Sequence, residues 1–414
     1  MVFTDANAIY DAMTLAIKSG KQDRMIRQLY QVNHLLYTAK LQQELTSGKY
    51  KPGLGHKFLL NERGKTRYVT NNRMQDKVVN HIVCDKVLTP AIDKYLIYDN
   101  GASQKGKGVS FHRKRFEKHL RDYYKKHKTN EGYILLGDFS GYYANIRHDI
   151  CSKVLAHFLS RSNIDKEDLR KAWEILQGIF DTFKVDVSRY SDEEIAAMYT
   201  NKIDATMNYS VDDSLLTGKK FLHKGVDIGN QTSQNIGVAF PYRFDNYAKI
   251  VAGIKYYGRY TDDFYAISDS REELKNLLEN LKAIAKDYGI IINERKTRIV
   301  KLASFYRHLQ DGYSLTATGR VIRKINPKSI TRERRKLKAY KRLLSNKRIT
   351  YQKIENIFKS WICSNYRRMS RQQIYNISEL YIELFKERPK CTMKQHGYSR
   401  LKWHMEHEKK PIRN

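Results

Sequence analysis

A mixed α+β fold, rich in helix and with short strands where the chemistry lies, follows from three observations. Only six prolines interrupt 414 residues, so few positions forbid a helix. Long stretches near both ends repeat apolar residues at helical period. Between them, short runs alternate or are almost wholly apolar and stop at glycine or aspartate, which is how strands run into turns. A chain of 414 residues also exceeds one ordinary domain of about 100 to 200 residues, so two or three subdomains are expected.

From the N-terminus, Ala6 to Ser47 reads as two helices within an extension that fills residues 1–49. FLLNERGKTRYVT, Phe58 to Thr70, alternates around Gly64 and predicts a small hairpin whose basic arm carries Lys65 and Arg67. A helix is expected over Asn72 to Leu88. The apolar run Tyr133 to Leu136 predicts a strand that ends at Gly137 and delivers Asp138. YYGRYTDDFYAIS, Tyr256 to Ser268, predicts a hairpin of buried strands with Asp262 and Asp263 at its turn. Past Gly319 comes a basic helix, and Tyr351 to Lys386, helical by period, is expected to pack as a small separate bundle.

Lys plus Arg number 77 against 44 Asp plus Glu, a net charge of +33, which points to a polyanionic partner and away from an ordinary metabolic enzyme. With 12% aromatic residues the chain is no disordered basic tail, so a folded nucleic-acid-binding protein is the better class. The charge is segregated. Residues 105–128, with Lys105 and Lys107, hold ten Lys/Arg and two acids; residues 319–348, with Arg332, Arg334, Arg335 and Lys338, hold thirteen and one. Runs this one-sided track a phosphate backbone. Residues 181–218 hold eight acids against three Lys/Arg and read as a surface insertion that avoids nucleic acid. Cys84, Cys151, Cys363 and Cys391 form no CxxC pair, so free thiols in a reducing cytoplasm are expected rather than a zinc knuckle or a disulfide framework. No apolar run approaches the ~18 residues of a membrane span and the N-terminus lacks a signal-peptide pattern, so no membrane partner and a cytoplasmic location are expected.

Adjacent carboxylates at the turn of an apolar hairpin are held rigidly and aimed out of the sheet, although a turn also simply tolerates aspartate. Asp138, 262 − 138 = 124 residues before Asp262, is delivered by a strand of its own; a helix cap is the alternative. Together they make the minimal ligand set for two Mg2+ ions about 4 Å apart, the arrangement that activates a 3′-hydroxyl and stabilises leaving pyrophosphate. Hard oxygen ligands without a His/Cys cluster favour Mg2+ over zinc.

The segments GDFSGYYANI, KGVDIGNQTSQNIG, GRYTDDFYAIS and GIIINERKTRIV resemble motifs A, B, C and D of the palm of reverse transcriptases, in order and in approximate spacing. The stretch from Arg67 to Gly108 resembles the fingers motifs of bacterial members, and the resemblance covers roughly Tyr50 to Arg348. It implies a right-hand polymerase: fingers over 50–132, a palm of antiparallel sheet and helices over 133–318 bearing motifs A to E, and a basic helical thumb with C-terminal helices over 319–414. It implies an RNA-directed DNA polymerase that adds dNTPs with two Mg2+ ions, Mn2+ being a substitute, on an RNA template and an RNA/DNA duplex.

Carried over by position, Asp138 and Asp262 would bind the metals, Asp263 would support them, and Phe139 would join both metal and nucleotide sites. Tyr143 falls at the aromatic gate under the sugar, Arg67 at the fingers cation for the triphosphate, and Lys296 at the motif D proton donor to pyrophosphate. An ordinary buried tyrosine, an exposed strand arginine and a surface lysine are the respective alternatives. Ile228, Gly229, Gln231 and Ser233 would line the nucleotide site. Two departures matter: Asp227 replaces the proline often found two residues before the glycine, and Ile228 stands where many retroviral relatives carry glutamine. The combination resembles enzymes of diversity-generating retroelements and of bacterial antiphage defence. A defence enzyme copying a dedicated noncoding RNA is expected, with a protein partner or homo-oligomer as a further association. A retroelement enzyme with an accessory protein and a catalytically silent RNA-binding scaffold are the other readings.

Overall fold

The computed structural model describes residues 1–19, 24–62 and 64–387; Cys391 lies outside them. The chain divides into two compact units, Met1–Tyr123 with Gly132–Ile299, and Tyr124–Glu131 with Val300–Asn414.

The first unit begins with three helices rather than two: Ala6–Ser19, Arg24–Val32 and His34–Thr46. Asn33 makes the extra break. Its φ of −100° and ψ of 32° leave the helical range, and its side-chain amide bonds back to the Leu29 carbonyl, a local bond that competes with helix continuation. The hairpin His56–Glu62 with Lys65–Asn71 closes with Glu62 opposite Lys65, as Gly64 predicted. The helix expected after it runs from Met74 to Ile82 and then loosens into a π-helical stretch, Val83–Leu88.

The central sheet has the strand order Tyr256–Tyr260, Asp263–Ser268, Tyr133–Asp138, Arg298–Lys301, and the first three strands pair antiparallel. Alternation sends Leu135, Tyr257, Phe264 and Ala266 into a core shared with Leu274, Leu277 and Leu281 of the helix Arg271–Asp287. Those leucines recur at helical spacing and are fully buried, so each contributes about 1.5 to 3 kcal/mol. The helix starts at Ser270, whose side chain accepts from the Glu273 N–H. Tyr265 belongs to the opposite face, where its ring meets Phe116 at 4.7 Å and its hydroxyl bonds His119 Nδ1 at 2.9 Å, both on the helix Val109–His127. Both faces of the sheet are thereby covered.

The acidic insertion is at the surface, with seven of its eight acids exposed. It nonetheless has a small core of Val187, Ile203 and Leu222 and a helix, Asp192–Thr200, started by a Ser191/Glu194 capping box.

The second unit holds a three-stranded sheet, Tyr306–His308, Asp311–Leu315 and Val321–Lys324, and the helices Pro327–Ser345, Tyr351–Asn365 and Arg371–Phe385. Leu337, Ile354, Phe358, Ile377 and Tyr381 form their common core. The helical stretch expected over 351–386 is interrupted at Tyr366–Arg368, and Ser370 with Gln373 restarts it through a second capping box. Among the described residues no helix is long and apolar enough to cross a membrane.

Candidate active site

Three carboxylates meet at one end of the central sheet. In the antiparallel pairing of Tyr133–Asp138 with Asp263–Ser268, the last register pair is Asp138 opposite Asp263. The hairpin closes with Tyr260 opposite Asp263, leaving Thr261 and Asp262 as a two-residue turn. Thr261 takes φ +51°, a conformation an L side chain adopts at a cost. The Phe139 N–H donates to the Asp262 carbonyl at 3.0 Å, so the turn is fastened to the chain leaving Asp138.

The electrostatics favour cations. Burial, reinforced by Asp138, pushes Asp262 above the usual carboxylate range. Burial together with Asp262 and Asp138 pushes Asp263 up to about 7, against partial relief from Lys296 and Lys65. Lys296 Nζ donates to Asp138 Oδ2 at 2.7 Å, and Asn293 Nδ2 donates to the same oxygen at 3.3 Å. Burial lowers the Lys296 ammonium, but the hydrogen bond to Asp138 and the charges of the three aspartates outweigh it and raise the group overall. An ammonium thus sits on Asp138 where a cation is most needed.

Among the described residues no three His, Cys, Asp or Glu side chains close a metal cage. Mg2+ does not require one, since it is usually held through one or two carboxylates with water and phosphate oxygens completing the shell. Repelling, oxygen-only donors therefore fit a hard divalent ion that arrives with a nucleotide.

Beneath the turn lies a buried ion pair. Arg259 and Asp245, 0% and 1% exposed, face each other with Nε to Oδ1 at 2.8 Å and Nη2 to Oδ2 at 2.8 Å. Tyr257 donates its hydroxyl to Asp245 Oδ1 at 2.7 Å. The remaining guanidinium protons go to the carbonyls of Val238, at 2.7 Å, and Thr261, at 2.7 Å. Arg259 therefore joins the Asp262 turn to the helix Gln231–Ala239. Sequence reasoning missed this pair. The available signal was a lone arginine inside the otherwise apolar YYGRY strand, which burial obliges to find an anion.

Among the other expected residues, Tyr143 feels the charge of Asp262. Tyr143 is half-buried, and burial, helped by Asp262, pushes its phenol up to about 12. Its ring rests on Gly237, where a Cβ would lie 2.6 Å from the hydroxyl, so only glycine permits this packing. Tyr143 and Ile228 line a cavity of about 400 Å³ with Lys57, Tyr68, Lys224 and Asp227. Gln231 Nε2 donates to Asp85 Oδ1 at 2.6 Å. Ser233 is buried at the start of its helix, where its N–H donates to Asn230 Oδ1 at 2.6 Å. Arg67 reaches Glu62 of its own hairpin at 3.6 Å, whereas Lys65 is the hairpin cation whose charge is felt at Asp263.

A family model described as "Reverse transcriptase (RNA-dependent DNA polymerase)" matches residues 51–310, more than half of the chain and all of the site just described. The chain belongs to the reverse transcriptase family. Its mixed helices and antiparallel sheets are those of a right-hand polymerase fold. No curated protein matches the sequence. Among solved structures, telomerase from Candida albicans, in complex with a fragment of telomeric RNA, aligns at 13% identity with a TM-score of 0.44, over 82% of this chain and 60% of that one. Apo telomerase from Candida tropicalis aligns at 14% identity with a TM-score of 0.40, over 81% and 63%. The chain thus spans about three fifths of the telomerases it matches. The family assignment rests on the sequence match alone.

Two basic regions of this reverse transcriptase chain differ in how free their cations are. Lys105 is exposed, but Lys107 Nζ donates to the Tyr98 carbonyl at 3.0 Å and to Gln104 Oε1 at 2.8 Å, closing its own loop. On the helix Pro327–Ser345, Leu337 and Glu333 are buried, Arg334, Arg335 and Lys338 are exposed, and Arg332 is half-buried. The run's single acid is inward and its cations are mostly outward.

Sequence reasoning also passed over Lys224, which is 1% exposed at the start of motif B. Its ammonium donates to the carbonyls of Met198, at 2.8 Å, and Asn201, at 2.8 Å, at the C-terminal end of the insertion's helix. Burial and Arg147 lower it to about 8, so it is charged at neutral pH and caps that helix.

Proposed function

We propose that the chain is an RNA-directed DNA polymerase that adds dNTPs to a 3′-hydroxyl. The observation that carries this reading is the pairing of Asp138 with Asp263 beside the Asp262 turn, three repelling carboxylates on a sheet end in a chain of the reverse transcriptase family. Asp138 and Asp262 would hold two Mg2+ ions, with Asp263 in support and Phe139 contributing its main-chain carbonyl. Bound there, the ions lower the pKa of the attacking hydroxyl and neutralise charge on the leaving pyrophosphate.

The chain's own residues divide the remaining work. Lys296, released from Asp138 when the carboxylate takes up another cation, would carry a proton to the pyrophosphate. Lys65 and Arg67 would meet the triphosphate, Tyr143 would pack under the sugar, and Ile228, Gly229, Gln231 and Ser233 would line the nucleotide's other side. Lys105, Arg332, Arg334, Arg335 and Lys338 would bind phosphates of template and duplex. The motif B sequence DIGNQTSQ and the anchored acidic insertion support a role in cytoplasmic antiphage defence, with a dedicated noncoding RNA as template.

Primer extension on an RNA template tests the chemistry. The variant Asp262→Ala with Asp263→Ala should lose dNTP incorporation while keeping its folded circular-dichroism spectrum. Extension at the wild-type rate would remove this turn from the reaction.

A further inference from the structure

Asp227, which stands where the family pattern has proline, spends its carboxylate on the fingers hairpin. Lys57 and Thr70 are register partners, one on each strand of that hairpin, and Asp227 engages both. The Thr70 hydroxyl donates to Asp227 Oδ2 at 2.7 Å, and the Lys57 ammonium lies 3.5 Å from Oδ1. The backbone adds a third tie, from the Thr70 N–H to the Ile228 carbonyl at 2.8 Å. Gly229 makes the approach possible: its φ is +124°, and a Cβ there would lie 2.5 Å from the Thr70 carbonyl oxygen. A proline at 227 would offer no side-chain acceptor to either strand.

The consequence is mechanical. Lys65 lies five residues along the strand from Thr70, a reach of about 17 Å at the rise of an extended chain. A swing of about 10° at the root would carry the Lys65 end of the strand by about 3 Å over that length. Displacements of this size matter where a cation must meet a phosphate oxygen at hydrogen-bond distance.

We propose that Asp227 is a positioning residue that clamps the root of the hairpin onto the motif B loop, holding Lys65 and Arg67 in place for the triphosphate before a nucleotide binds. This rests on the polymerase reading for its kinetic consequence. The clamp itself is a property of the free protein.

The test uses the full chain in two measurements. In single-nucleotide incorporation, Asp227→Ala should raise KM for dNTP about tenfold with kcat within about twofold, the scale set by losing a charge-assisted hydrogen bond that acts on binding. Asp227→Asn keeps an acceptor for the Thr70 hydroxyl and should recover part of the loss, whereas Thr70→Val should resemble Asp227→Ala. In hydrogen exchange of the nucleotide-free protein, Asp227→Ala should speed exchange across 56–62 and 65–71 and leave the central sheet unchanged. Unchanged KM with unchanged hairpin exchange overturns the proposal, and so does a general loss of stability that lowers kcat without a rise in KM. If the wild-type protein extends no primer, the polymerase reading fails, and hairpin exchange alone decides the clamp.

Discussion

Removing one partner of the Arg259–Asp245 pair should affect stability and chemistry separately. Asp245→Leu leaves a guanidinium at 0% exposure without its carboxylate, and leaves the Tyr257 hydroxyl without the acceptor it meets at 2.7 Å. An uncompensated buried charge of this kind costs about 3 to 5 kcal/mol. Against a total stability of about 5 to 15 kcal/mol, that should lower the melting temperature on the order of ten degrees. Replacing both partners, Asp245→Leu with Arg259→Met, removes the stranded charge, and exchanging a whole buried pair for apolar side chains is often close to neutral. The double variant should therefore melt near wild type. Its polymerase rate should stay low, because methionine cannot donate to the Thr261 carbonyl that Arg259 Nη1 holds at 2.7 Å. A misplacement of about 1 Å at the turn costs on the order of 100-fold in rate. Melting curves and single-turnover extension on the two single variants and the double decide the matter. A double variant that is both stable and fully active would refute the idea that this pair holds the turn.

Tyr143→Ala should raise the ratio of rNTP to dNTP incorporation by a factor on the order of 10 to 100, measured by competition on one template position; an unchanged ratio in an active variant would place the sugar gate elsewhere. Neutralising Arg332, Arg334, Arg335 and Lys338 should weaken all RNA/DNA duplexes alike and flatten the salt slope of log K by roughly 0.7 to 0.9 for each phosphate left without its cation, with half-buried Arg332 contributing least. Wild-type affinity and slope would make this helix a solvated surface, and weaker binding of one sequence only would mark it as a reader of a specific RNA.

The parts legible in the sequence are those whose cause is local. Gly64 and the alternation around it dictate the hairpin that carries Lys65, and an apolar run closed by Gly137 dictates the strand that delivers Asp138. The Asp262 turn follows from apolar strands on both sides. The breaks at Asn33 and Asn365–Tyr366 were invisible, because each interrupts a helical period that its neighbours sustain, and an asparagine amide bonded to the carbonyl four residues before it is enough to tip the balance. The partners of Asp245, Lys224 and Asp227 were illegible for a different reason. Each is an ordinary charged residue until the fold supplies its partner, and those partners lie 14, 26 and 157 residues away.

Those three charges share a logic with the site they surround. The carboxylates at the sheet end repel one another, so the turn that carries Asp262 gains no stability from bringing them together. Support has to come from behind, through backbone groups. Arg259 holds the Thr261 carbonyl, and Lys224 holds the carbonyls that end the insertion's helix beside motif B. Asp227 takes the side-chain route to the hairpin, alongside the bond from the Thr70 N–H to the Ile228 carbonyl. Each is a buried or half-buried charge satisfied within the protein. Lys296 is the exception, since its partner Asp138 is one of the three carboxylates of the proposed metal site, and on that reading theirs is the bond that would break when a metal binds. On the proposed reading, frame and moving part are thus distinguished by what each cation holds: backbone carbonyls and an aspartate outside the metal site for the frame, a carboxylate of the metal site for the part that would move.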